Sequence, residues 1–149
     1  SFLAVWLVFR DPAIDHRLVI AGAVVADVVD APTGGRWFAH TLLASVLLLT
    51  VVMLGTRGRR LRRRQLLALP IGTFLHLVLD GMWADRDRFW WPFFGTAADR
   101  PLPSVERGLT NVVLELAGAA VLVWAWHTFR LDRPAVRRRF LATGRLPRA

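Results

Sequence analysis

Long apolar runs separated by arginine-dense segments constrain this 149-residue sequence more than any other feature. Residues 38–54, 66–84 and 109–129 each approach the roughly 20 apolar residues needed to cross a bilayer. A shorter run, 18–29, leads into the turn cluster Asp30, Ala31, Pro32, Thr33, Gly34 and Gly35. Ahead of it, Arg10, Asp11 and Pro12 break off an apolar N-terminal segment, read as interfacial or as the end of a truncated first span. The chain opens at Ser1 rather than methionine, consistent with a missing upstream piece. The pattern predicts an all-α fold: a small polytopic transmembrane helix bundle with three long spans and a shorter N-terminal helical region, forming one membrane-embedded domain over 1–149.

Composition supports a membrane class. A net charge of +9 would suggest a nucleic-acid binder, but 54% hydrophobic content and long apolar runs do not fit a solvated basic face. No nucleic acid is expected as a partner. The charge is also localised: all 20 basic residues are arginine, six of them fall in the loop 55–65, and seven in the tail 130–149 against Asp132. Each segment contributes +6, so the rest of the chain sums to −3. By the positive-inside rule both segments are expected to be cytoplasmic, including the C-terminus, with a charge-balanced loop 85–108 outside. Trp37 and Trp83 then mark outer helix ends, and Trp124 and Trp126 an inner one. The absence of cysteine leaves His, Asp and Glu as the side chains able to hold a metal.

Ionisable groups within apolar spans are costly and usually functional. At about 1.5 Å of rise per residue, His40, Asp80, Glu115 and His76 lie about 3, 6, 9 and 12 Å inside the outer ends of their spans. Asp27 and Asp30 close the shorter helix near the same level, and Asn111 lies above Glu115. His76 and Asp80, spaced i, i+4, project from one helix face. With His40 and neighbouring carboxylates they make a plausible site for a divalent ion, zinc above all. A carboxylate outside the ligand set could serve as general base. The competing reading is a buried ion pair or a set of interhelical hydrogen bonds that locks the bundle. His16 and His127 are expected at the interfaces, away from this layer.

At these residues the sequence resembles the bacterial inner-membrane metal-dependent hydrolases of the YdjM type, themselves similar to zinc-dependent phospholipase C and P1 nuclease. Three blocks carry the resemblance. The family's small-residue helix ending in Pro-Asp-x-Asp is similar to residues 22–30, its His-Arg-Gly-x-Thr-His-Ser block to residues 35–41, and its His-x-x-x-Asp helix with a following Trp-Pro to 76–80 and Trp91-Pro92. Ala26 replaces the proline, Asp30 comes one residue late, and Gly35 stands where the first histidine of the middle block would be. The resemblance implies Asp27, His40, His76 and Asp80 as ligands of one metal. In the reading built on these residues, Asp30 or Glu115 is expected to assist water activation.

These observations lead to an expected membrane-bound metal-dependent hydrolase, acting on a phosphoester or lipid-linked substrate at the outer face of the inner membrane. Membrane lipids, and a partner membrane protein or a second copy, are the expected partners. The alternative is a non-catalytic membrane subunit of this fold that binds a lipid or a partner protein. Ion or proton translocation through the polar layer is a third option, opposed by the lack of ionisable groups continuing the path inward.

Overall fold

The computed structural model describes residues 1–9, 14–33, 38–94 and 109–146. Arg10, Asp11, Pro12, Gly35, Arg36, Trp37 and the loop residues 95–108 lie outside the described residues, as does the side chain of Asn111. Every regular element described is helical: α1 (Phe2–Phe9), α2 (His16–Asp30), α3 (Leu42–Gly55), α4 (Arg60–Leu66), α5 (Ala68–Leu79), α6 (Arg86–Phe89), α7 (Leu109–Thr128) and α8 (Pro134–Thr143). Short 3-10 turns at Ala31–Thr33, Phe38–His40 and Met82–Ala84 connect them.

The expectation of three long spans is overturned: among the described residues, no helix is long and apolar enough to cross a membrane. Local signals within the apolar runs explain the shortening. In the first run, Phe38–His40 forms a 3-10 turn and the Thr41 side chain caps the following helix by accepting from the Ala44 N–H at 3.1 Å. That delays α3 to Leu42 and limits it to 14 residues. In the second run, α5 begins only at Ala68 and stops at Leu79, because Gly81 takes a left-handed φ of 71°. Its 12 residues rise about 18 Å, well short of an about 30 Å hydrocarbon core. α7 is 20 residues long and carries Glu115 and His127. Part of the arginine-rich segment is itself helical, as α4, and part of the basic tail forms α8.

The central pair is α2 and α5, which run in the same direction. Val19 and Gly22 face Leu69, Gly72 and Thr73, while further along Asp27 meets His76. The backbones touch where glycine is reciprocal: a Cβ on Gly22 would overlap the Leu69 carbonyl oxygen, and one on Gly72 would overlap that of Val19. Thr73 Oγ1 donates to the Gly22 carbonyl at 2.8 Å across this contact. Val5, Ile14, Val19 and Ala68 form one buried cluster that seats α1 on the pair. Leu77, Met82 and Phe89 form a second at the far end of α5.

α8 docks at the beginning of α2. The His16 N–H donates to the Gly144 carbonyl at 2.9 Å, and Arg17 Nη1 donates to the Leu141 carbonyl at 2.7 Å. α4 leads directly into α5, so both basic segments adjoin the N-terminal ends of the central pair. α7 is held at its C-terminal end, where Trp124 and Phe129 meet Trp6 and Phe2 of α1 with centroids 5.2–6.2 Å apart. Most of its length stays exposed, including Leu114, Leu116 and Leu122.

Candidate metal centre

The close crossing of α2 and α5 dictates what meets at their C-terminal ends. Two parallel helices in backbone contact carry Asp27 and Asp30 on one and His76 and the cap residue Asp80 on the other to the same place. The Phe38–His40 turn then folds the chain back so that His40 enters between them. Asp30 fixes this return: its Oδ1 accepts the Ala39 N–H at 3.1 Å and its Oδ2 lies 2.7 Å from His40 Nδ1. Both Asp30 and His40 are buried.

A carboxylate oxygen at 2.7 Å must accept from Nδ1–H, so the neutral His40 ring presents a bare lone pair at Nε2. That lone pair faces Asp27 Oδ1 at 3.3 Å. The same oxygen is 3.3 Å from His76 Nε2, which in turn is 3.3 Å from Asp80 Oδ2. Both Nε2 atoms are buried, and neither makes a hydrogen bond of acceptable geometry. The two rings meet edge to face with centroids 5.7 Å apart. One ligand atom from each of Asp27, His40, His76 and Asp80 thus falls within 4.8 Å of all the others.

The two carboxylates and the His40 lone pair crowded in this way repel unless something positive lies among them. Four ligands at 2.0–2.1 Å from a tetrahedral ion would be separated by about 3.3–3.4 Å, the spacing seen in three of the pairs here. The helix ends act in the same direction, because the C-termini of α2 and α5 bring partial negative charge to a place already rich in carboxylate. A hydrogen-bonded lock would instead orient N–H donors at these oxygens, and His40 has spent its donor on Asp30. The residues fit a divalent cation. Access is one-sided: the Asp27 and Asp80 side chains are 58% and 34% exposed, whereas that of His40 is 1% exposed.

The other sequence candidates fall elsewhere. Glu115 is exposed on α7 and is not among the four gathered residues. His127 is exposed near the end of the same helix. His16 is buried rather than interfacial, at the opposite end of α2, with Nδ1 3.3 Å from the Gly144 carbonyl. Burial lowers its pKa from the ordinary histidine value, against a smaller upward pull from that carbonyl. The roles of Gly22, Gly72 and Thr73 in aligning the two helices that carry Asp27 and His76 were not read from the sequence. The small-residue spacing on both helices was the available signal.

The family model for the YdjM inner membrane protein matches residues 4–138, nearly the whole chain. The chain belongs to this family, whose description locates it at the inner membrane. Neither a curated protein nor a solved structure gives a significant match.

Proposed function

For this member of an inner-membrane family, we propose that the Asp27, His40, His76 and Asp80 cluster binds one divalent metal, zinc foremost, and serves a metal-dependent hydrolase acting on a phosphoester or lipid-linked substrate. The convergence of two carboxylates on two buried imidazole Nε2 atoms that make no hydrogen bond, three of the contacts being 3.3 Å, carries this reading. A bound divalent ion would supply Lewis acidity and lower the pKa of a coordinated water.

Each residue then has a distinct task. Asp30 is a positioning residue, since it holds the His40 ring in the tautomer that offers Nε2 and does not reach the reacting atoms. His40 and His76 form the buried wall. Asp27 and Asp80, the exposed members, line the side from which a substrate arrives, and a carboxylate oxygen of this pair not engaged by the ion can take up the proton of an attacking water. A phosphoester suits the site because its charge is matched by the cation, and membrane lipids are the natural source of such a group for an inner-membrane protein.

The test is metal analysis of protein purified without chelators, paired with hydrolysis of phosphatidylglycerol in vesicles. We expect about one equivalent of zinc or a similar ion, with activity lost on chelation, restored on zinc addition and abolished by His76→Ala. Metal-free protein whose activity survives His76→Ala would overturn the proposal. A second reading is favoured by one observation: Asp30 is committed to His40 and Glu115 is not among the gathered residues, so neither of the two expected bases stands ready beside the ligands. In that reading the metal centre belongs to a non-catalytic subunit that binds a lipid or a partner membrane protein. Full metal loading without product release supports it.

A further inference from the structure

A cavity of about 520 Å³, within the usual range for ligand sites, opens between α1, α3 and α5. Its walls include Val8 of α1, Leu42, Ser45 and Leu49 of α3, and Phe74 and Leu75 of α5. Along α3 the lining begins two residues after His40 and continues away from it. Along α5 it begins one residue before His76 and runs back toward the helix start. Both walls therefore lead away from the metal centre, beginning within a helical turn of its two histidines.

Ser45 is the one polar residue among those lining the cavity. It is 5% exposed, and its Oγ makes no hydrogen bond within the protein. Other helical hydroxyls in this chain bond back to the carbonyl four residues earlier: Thr50 to Val46 at 2.8 Å, Thr56 to Val52 at 2.6 Å and Thr143 to Arg139 at 2.8 Å. A buried hydroxyl left unpaired in an apolar wall is costly, and its donor is available to a ligand acceptor.

From these observations we infer that the α1–α3–α5 cavity holds one aliphatic chain of a membrane amphiphile, with Ser45 Oγ donating to an ester carbonyl at the start of the chain and the polar head placed at the His40–His76 cluster. This rests on the metal-centre reading for the head group and adds the substrate class: an acyl ester lipid. The order of elements along the walls matches the order of groups in such a molecule. Charged residues lie at the cluster, a single hydroxyl lies about one turn into α3, and the lining residues that follow it along α3, Val46 and Leu49, are apolar. Membership of an inner-membrane family supplies the source of the chain.

Photolabelling tests the inference. The full chain is reconstituted in phosphatidylethanolamine and phosphatidylglycerol vesicles doped with a phosphatidylcholine that carries a diazirine on one acyl chain, and adducts are mapped by mass spectrometry. Zinc content is measured on the same samples. Adducts concentrated on α3 and α5, reduced severalfold by Leu49→Trp and more weakly by Ser45→Ala with zinc content unchanged, are the expected result. Adducts spread evenly onto exposed α7 positions such as Leu122, or undiminished by Leu49→Trp, would overturn the inference. Zinc binding without labelling of α3 and α5 would reject the acyl site alone, whereas labelling there without zinc would reject the metal reading and the head-group placement that depends on it.

Discussion

The two ends of the α2–α5 pair each bury a histidine, and they treat it in opposite ways. At the basic end, His16 lies against the Gly144 carbonyl, and burial lowers its pKa so that the neutral ring is favoured. At the acidic end, His40 is buried just as deeply, but its Nδ1 is held by a carboxylate and its Nε2 points at a second one. Burial of a histidine is therefore uninformative alone. The atom to which each ring nitrogen is directed separates a packing histidine from a proposed ligand. The sharpest way to break the contrast is to delete a proposed ligand: His76→Ala should lower zinc affinity by more than the ~100-fold seen for outer-shell changes, measured by competition with a chelating dye. A variant that keeps wild-type affinity would reduce the acidic end to the status of the basic one.

Asp30→Asn probes the contrast without touching a ligand. The amide keeps the shape but lets the His40 ring adopt the other tautomer, so zinc affinity should fall by about 10–100-fold while the helical circular dichroism spectrum is retained. The alignment of the ends is tested further away, at the helix crossing. Gly72→Ala places a methyl against the Val19 carbonyl and should cost about 1–3 kcal/mol in denaturant unfolding. It should also weaken zinc binding by misaligning Asp27 and His76, which the same substitution at Gly55, where a Cβ meets nothing within 4 Å, should not do.

Much of the acidic end was legible in the sequence because it rests on local geometry. The i, i+4 spacing of His76 and Asp80 fixes their shared face wherever the helix is placed, and the turn cluster after Asp30 brings the chain back toward α2. Counting rise along each run, however, gives depth and no lateral position. That count set Glu115 level with the others, although among the described residues the ring contacts of α7 lie near its far end and Glu115 is exposed. Span lengths failed for a related reason. Hydropathy averages over a window, whereas a Thr41 cap and a left-handed Gly81 end helices at single residues. The pairing of Asp30 with His40 was not visible either, since it depends on a 3-10 turn that brings residues ten apart into contact.

The smallest expected effect tests the basic end directly. Because the folded state lowers the His16 pKa, the unfolded chain takes up the proton more readily, and stability is lost as pH falls from the ordinary value near 6.5 toward the lowered one. Above that window the ring is neutral in both states and the term vanishes. Asp15, whose carboxyl is lowered chiefly by its hydrogen bond to Arg17, adds a separate loss only in stronger acid, below about 3.8. His16→Gln should therefore flatten the decline in melting temperature just below pH 6.5 and leave zinc affinity at neutral pH unchanged. An equal loss of zinc affinity in this variant would mean that the two ends are coupled through α2, and that His16 supports the metal centre rather than only the docking of α8.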